Sequence, residues 1–424
     1  LSMLRSVSAL LAGVATLSLA AMASAKEGPV PYGVRHLDHV FLIMMENHGY
    51  AEIIDNPNMP FTNKLAAKAG LATHYFAVGH PSLTNYLEIV GGSNFGVLND
   101  HAPDWHNANC DTNLSTGQPA LDQSSYPNIC PLRGNGKDAA TPAIDTSNLE
   151  GNQPGPVINI DGSASYPAQP TVAKTIAHQI VEKGGTWKTY QEDLPPTGAD
   201  NVNSADGIYS NLNPPTKSGI TDGVVGLYAV KHNPFAYFLD VQNGKPGLSL
   251  QNAVGFDGQA GLFEDLRKGH TPTLSFIVPN QCNDQHGRSG AGPQCDYDPN
   301  DVGTQTGLNP ALMYQGDVTL ERIVGAIKAS PSWSDGRNAI VIVWDESDYA
   351  NAPITNQVTL IVDTNESDRD HDHDADDRRG HTSSHFYTHY SLLKSLESAL
   401  GLPCLNHACD ATTETMNDLF DGRK

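Results

Sequence analysis

Basic residues are scarce in this chain. Its 424 residues include 25 Lys and Arg against 47 Asp and Glu, a formal net charge of −22. No nucleic-acid partner is expected, because a phosphate backbone needs a basic surface. Beyond residue 25 no apolar run is long enough to span a membrane, so no stable membrane insertion is expected. Cys-x-x-Cys pairs are missing, which speaks against zinc held by cysteines at that spacing. No internal repeat is found. An acidic balance still admits a small phosphorylated substrate, since a metal ion can supply local positive charge.

What is present begins with an export segment. Arg5, an apolar stretch from Val7 to Ala21 and Ala23-Ser24-Ala25 have the order of a secretory signal peptide over residues 1–25. The mature chain, 26–424, then reads as one large domain that is periplasmic or secreted. The six cysteines suit export and fall into local pairs, Cys110 with Cys130, Cys282 with Cys295 and Cys404 with Cys409. Fifteen connectivities are open to six cysteines, and this pairing is the most economical.

Two short runs, Val40-Phe41-Leu42-Ile43-Met44-Met45 and Ala339-Ile340-Val341-Ile342-Val343-Trp344, are apolar without alternation, as buried parallel strands are. Further strands are expected at Thr186–Gln191, Ala236–Val241, Thr273–Val278 and Gln357–Val362. Helices are expected at Met59–Gly70 with Gly70 as C-cap, Ser82–Val90, Thr171–Lys183, Leu262–Lys268, Asp317–Ala329 and Tyr390–Leu400. Alternation of strand and helix predicts an α/β fold with a mainly parallel sheet covered on both faces. Residues 93–170 and 364–381 read as irregular insertions. Within the second, the Asp/His run 366–379 reads as a solvated loop, with a metal-binding tract as the lesser alternative.

Both apolar runs end in acid: Glu46-Asn47 after the first and Asp345-Glu346 after the second. Polar residues at a strand end often just begin a turn. Chemistry in open α/β sheets, however, collects beyond the carboxyl ends of strands. Two such ends carrying oxygen donors predict one hard-cation site, for Mg²⁺, Ca²⁺ or Mn²⁺ before Zn²⁺. Ser82 stands at a helix start in Gly79-His80-Pro81-Ser82-Leu83-Thr84-Asn85. It is either a plain N-cap or a nucleophile whose hydroxyl meets free N–H groups and a cation. Asn283, Asp284 and His286 follow another strand end. His286 is a candidate to donate to a phosphoryl oxygen or to protonate a leaving group, or else a surface histidine in a disulfide-tied loop. Of the 17 histidines, one of His381, His385 and His389 is expected to reach the site.

The ordered set resembles the bacterial phosphoesterase family of acid phosphatases and phospholipases C, in the alkaline-phosphatase superfamily. The matching pieces are Met45-Glu46-Asn47-His48, Thr73-His74-Tyr75-Phe76, Ser82-Leu83-Thr84-Asn85-Tyr86, Ser275-Phe276-Ile277-Val278-Pro279-Asn280 with Asn283-Asp284-x-His286, Trp344-Asp345-Glu346, and Tyr387-Thr388-His389-Tyr390. That resemblance implies a three-layer α/β/α sandwich, alkaline-phosphatase-like. It also implies a serine phosphoenzyme, with one divalent metal ion held by Glu46, Asn47, Ser82, Asp345 and Glu346. Asn85 and His286 would contact phosphoryl oxygens. His48-Gly49-Tyr50-Ala51 replaces the Arg-Ser-Phe-Asp common in the phospholipases, and Asp345-Glu346 replaces Asp-Asp. The leading expectation is therefore a secreted phosphate monoesterase acting on a small phosphorylated substrate. A phospholipase C or other phosphodiesterase with the same site is the alternative. A non-catalytic phosphate- or metal-binding module is a third.

Overall fold

The structure, a computed structural model, describes residues 26–97, 99–110, 128–138, 170–200, 202, 226–347, 356–365 and 380–421. The expected leader at 1–25, the Asp/His run at 366–379 and much of 93–170 lie outside the described residues.

The core is an eight-stranded sheet. Its strands in chain order are β1 (His39–Met45), β2 (Gly70–Ala72), β3 (Trp187–Gln191), β4 (Ala253–Val254), β5 (Leu274–Val278), β6 (Asn338–Trp344), β7 (Leu360–Thr364) and β8 (Thr382–Ser383). Across the sheet they run β8-β2-β7-β6-β1-β5-β3-β4. All neighbours are parallel except β7, which is antiparallel to both β6 and β2.

All of β6 and all but the first residue of β1 are buried. Successive side chains point to opposite faces, so both faces must be covered. The helices form two groups, each packed within itself. One holds α1 (Pro60–Ala66), α4 (Leu262–Lys268) and α5 (Pro310–Ala329). The other holds α2 (Ser82–Gly91), α3 (Ile176–Glu182) and α6 (His389–Leu400). One group on each face gives the three-layer α/β/α sandwich.

Several boundaries differ from expectation. The segment expected as a strand at Ala236–Val241 is helical: a 3₁₀ turn at Pro234–Tyr237, then a helical turn at Leu239–Gln242. Pro234 at the first position of that turn presets φ for a helical start, which outweighs the β-favouring Phe and Tyr. Gly70 is not a C-cap. Helix α1 ends on Ala67 in the right-handed region, and Gly70 opens β2, where an added Cβ would sit 3.0 Å from the Leu419 carbonyl. Thr171–Lys183 divides into a short strand, Pro170–Val172, and α3. Helix α5 starts at Pro310 rather than Asp317, capped by Asn309, whose side chain accepts from Ala311 N at 3.1 Å. All three cysteine pairs are disulfides. Among the described residues no helix is long and apolar enough to cross a membrane.

Candidate active site

Register places the first two acidic ends side by side. Strand β1 lies between β5 and β6, with Met45 opposite Trp344. Asp345 N donates to Met45 O at 3.0 Å, and Glu46 N donates to Asp284 O at 2.9 Å. Asp345 Oδ1 accepts from Asn47 N at 3.0 Å. Three strand ends thus deliver Glu46, Asp284, Asp345 and Glu346 to one buried spot. Asn47 is half-buried with φ at 29°, and its described bond is this backbone one.

Ser82 is the first residue of α2, so Pro81 and not Ser82 holds the N-cap position. The Ser82 Oγ lies 3.0 Å from Glu346 Oε1 and 3.2 Å from Glu46 Oε2. Asn85 braces this geometry. Its Oδ1 accepts from Val78 N and Gly79 N at 3.1 and 3.0 Å, and its Nδ2 donates to Gly79 O at 2.7 Å and Glu346 Oε2 at 3.1 Å. His80 Nδ1 is 2.8 Å from Glu346 Oε2. Tyr86, one turn on from Ser82, donates to Glu46 Oε1.

Residues outside the sequence-derived set complete the cluster. His232 Nε2 is 3.2 Å from Glu46 Oε1, and its Nδ1 is 3.5 Å from Asp284 Oδ2. Lys231 Nζ donates to Asp100 Oδ2 at 2.9 Å and lies 3.4 Å from His286 Nε2. Both come from the 3₁₀ turn Val230–His232, which packs on α2. The signal was the polar pair Lys231-His232 just before Asn233-Pro234. His389 is the late histidine that arrives: Nε2 reaches Asp345 O at 2.6 Å while Nδ1 meets Tyr75 Oη at 2.8 Å. His381 and His385 face Asp418 and Glu414 instead, each at 3.7 Å.

Electrostatically the spot is short of positive charge. Burial, then repulsion from Asp345 and Asp284, holds the Glu46 carboxyl well above its ordinary range. Burial, then Glu346, pushes Asp345 up to about 8. Asp284 is also held high, by burial and then Asp345, against its bond from His286 N. Burial drives His232 well down and His286 down to about 3, so both rings are neutral. His286 Nδ1 faces Gly287 O at 2.9 Å and must carry the proton, so Nε2 presents a lone pair. In that tautomer Nε2 accepts, from Lys231 or a cation, and donates nothing to a phosphoryl oxygen.

A divalent cation fits this set. Asp345 Oδ2 and Asp284 Oδ2 are buried with no hydrogen-bond partner. Carboxyls that hold their protons so strongly have equal cause to hold a metal. One ligand atom each from Glu46, His232 and His286 lies within 4.8 Å of the others. The oxygen-only ground for ranking Mg²⁺, Ca²⁺ or Mn²⁺ above Zn²⁺ does not extend to this cluster, because two imidazoles stand in it.

A model of the Phosphoesterase family matches residues 52–294, which include Ser82, Asn85, Lys231, His232, Asp284 and His286. The chain belongs to the Phosphoesterase family. Phosphoesterases are hydrolases of phosphoric ester bonds, so this protein is an enzyme of that class. A phosphatidylinositol-3-phosphatase of Mycobacterium tuberculosis is 24% identical over 376 residues, covering 88% of this chain and 80% of the relative. An acid phosphatase of Aspergillus fumigatus is 23% identical over 395 residues, covering 92% of this chain but 62% of its own length. Among solved structures, a protein in the alkaline phosphatase superfamily from Vibrio parahaemolyticus overlaps 91% of this phosphoesterase and 72% of its own chain. It does so at 12% identity and a TM-score of 0.43, too distant to bear on chemistry.

Proposed function

We propose that this phosphoesterase is a divalent-metal-dependent phosphomonoesterase of acid-phosphatase type that works through a Ser82 phosphoenzyme. One observation carries the reading. The Ser82 hydroxyl starts a helix and lies between two buried carboxylates, Glu46 and Glu346, at the carboxyl edge of a parallel sheet. An N-capping serine would bond its own helix. This one has proton acceptors on it instead, as a nucleophile needs. The names of the relatives, an acid phosphatase and a phosphatidylinositol-3-phosphatase, favour monoesters over diesters.

The first step joins Ser82 Oγ to phosphorus and breaks the phosphorus–oxygen bond to the leaving group. The hydroxyl proton passes to Glu346 or Glu46 and from there to solvent, which returns one to the departing alkoxide, so the carboxylates are free again for the second step. In the second step water attacks the phosphoserine, its proton passes to the same carboxylates, and Ser82 regains its hydrogen as inorganic phosphate leaves. A cation held by Glu46, Asp345, Glu346 and Ser82, with Asn47 beside it, supplies charge stabilisation and a lowered hydroxyl pKa when bound. Of the N–H groups opening α2, Leu83 N is bonded to Asp100 and Thr84 N to Pro81 O, which leaves Ser82 N to meet the incoming anion. Asn85 keeps Glu346 and the Gly79 loop in place rather than spending its amide on substrate. Three disulfides and the leader-like residues 1–25 support a periplasmic or secreted setting.

The test is hydrolysis of p-nitrophenyl phosphate with metal analysis, beside Ser82→Ala. The variant should lose turnover by several orders of magnitude, and acid quenching of the wild type should trap one phosphoryl group on the Ser82 peptide. Near-normal turnover by the variant would remove Ser82 as nucleophile.

A further inference from the structure

Among the described residues Lys231 is the one buried lysine or arginine. It lies in the cluster just described. Its ammonium has three N–H bonds to place. One goes to Asp100 Oδ2 at 2.9 Å and a second points at His286 Nε2, 3.4 Å away. The third has no protein acceptor among the described residues. Asp100 also accepts from Leu83 N at 3.0 Å, so the ammonium is tied to the residue next to Ser82. Burial alone would pull Lys231 down. Asp100 and then Glu46 and Glu346 overcome that and hold it above its ordinary value, so it is a permanent cation. Its field also reaches Asp284 and Asp345.

The two ester classes differ in what they offer such a group. A monoester phosphoryl has three non-bridging oxygens and two negative charges. A diester has two such oxygens and one charge, because its third position is esterified. A fixed, poorly solvated ammonium gains most from the additional charged oxygen. We propose that Lys231 selects phosphate monoesters over diesters, its spare N–H binding the third non-bridging oxygen of the phosphoryl group on its way to Ser82. Lys231 is then a catalytic residue that touches substrate, and its ion pair with Asp100 aims it. The proposal deepens the phosphomonoesterase reading and rests on it.

The rival role for Lys231 is a brace between the 3₁₀ turn and α2. Measuring kcat/KM for p-nitrophenyl phosphate and bis-p-nitrophenyl phosphate in wild type, Lys231→Met and Lys231→Arg decides between them. Lys231→Met should lose about 10²- to 10³-fold on the monoester, the usual effect of deleting one charge-stabilising donor. It should lose much less on the diester, so that the monoester-to-diester ratio falls at least tenfold. Lys231→Arg should keep most of the ratio. Equal losses on both esters, with the ratio unchanged, would make Lys231 a brace and overturn the proposal. If Lys231→Met does not fold, Lys231→Gln is read the same way. If the wild type hydrolyses neither ester, the phosphomonoesterase reading fails. Calorimetry still tests Lys231 in that event: wild type should prefer inorganic phosphate to dimethyl phosphate, and the neutral variant should not. A preference that survives loss of the charge would refute the assignment.

Discussion

Two buried clusters of carboxylate and imidazole in this molecule behave in opposite ways. In one, His407 lies between Asp138 and Asp410, with Nε2 2.6 Å from Asp138 Oδ2 and Nδ1 2.7 Å from Asp410 Oδ2. Ser93 donates to the other oxygen of Asp138. Burial pulls the His407 ring down, but bonds to the two carboxylates prevail and push it up to about 10. In the other, around Ser82, carboxyls are pushed up, imidazoles are pushed down, and Asp284 and Asp345 each bury an oxygen with no bond. The first cluster supplies its own cation. The second has Lys231 and four carboxylates, and its surplus marks a place kept for something that binds.

The sharpest way to break that contrast is to remove one surplus charge. Asp345→Asn should lower p-nitrophenyl phosphate turnover by about 10²-fold or more and reduce bound metal. After chelation the same variant should be more stable than chelated wild type by about 1–3 kcal/mol near pH 7, because a buried carboxyl that must take up a proton on folding has gone. Urea unfolding of both stripped proteins checks this. A stripped variant less stable than stripped wild type would mean that the carboxylates support one another without a cation. Chelation itself should lower the melting temperature of wild type more than that of Asp345→Asn, as loss of a ligand bound only by the folded state requires.

At the balanced cluster the expectation reverses. His407→Gln should destabilise by about 3–5 kcal/mol near pH 6, since it leaves the buried carboxylate of Asp138 without its cation, while the half-buried Asp410 can turn to water, with turnover per folded molecule little changed. His407 is raised in the folded state. Its contribution is therefore fully present below the ordinary histidine value and is lost as pH rises through that value toward about 10. The gap between wild type and His407→Gln in denaturant midpoint should narrow over that window. A gap that widens with pH would reverse the sign and undo the comparison. The smallest effect is expected at Asn85. Asn85→Ala should lower kcat/KM by about tenfold, as loss of an outer support does, and lower the melting temperature as well, since its amide holds both the Gly79 loop and Glu346.

Much of this was legible in the chain. Strands β1 and β6 announce themselves because both of their faces are buried, which removes polar alternation. Their acidic ends then fall together by register alone. The disulfide pairs are short-range and followed from proximity. The 3₁₀ turn that carries Lys231 and His232 was hidden, because the Phe- and Tyr-rich stretch after Pro234 has strand-like composition while Pro234 fixes a helical start. Strands of two or three residues such as β2, β4 and β8 hold too few positions for any period to show. Of the two imidazoles near Glu46, His286 stood out because it follows a strand end, whereas His232 could not be ranked among 17 histidines, since its place is set by a loop.

The position of β1 bears on how the chain assembles. It is the first strand of the sheet to be made, yet its partners β5 and β6 begin only at Leu274 and Asn338. Sheets closed by such distant pairings form slowly. Until both partners exist, an almost wholly apolar ribbon has nothing to pair with and is exposed to aggregation, the condition chaperones answer. Fragments ending before Asn338 should therefore be insoluble, and the Ser82 centre can form only after nearly the whole polypeptide has been synthesised.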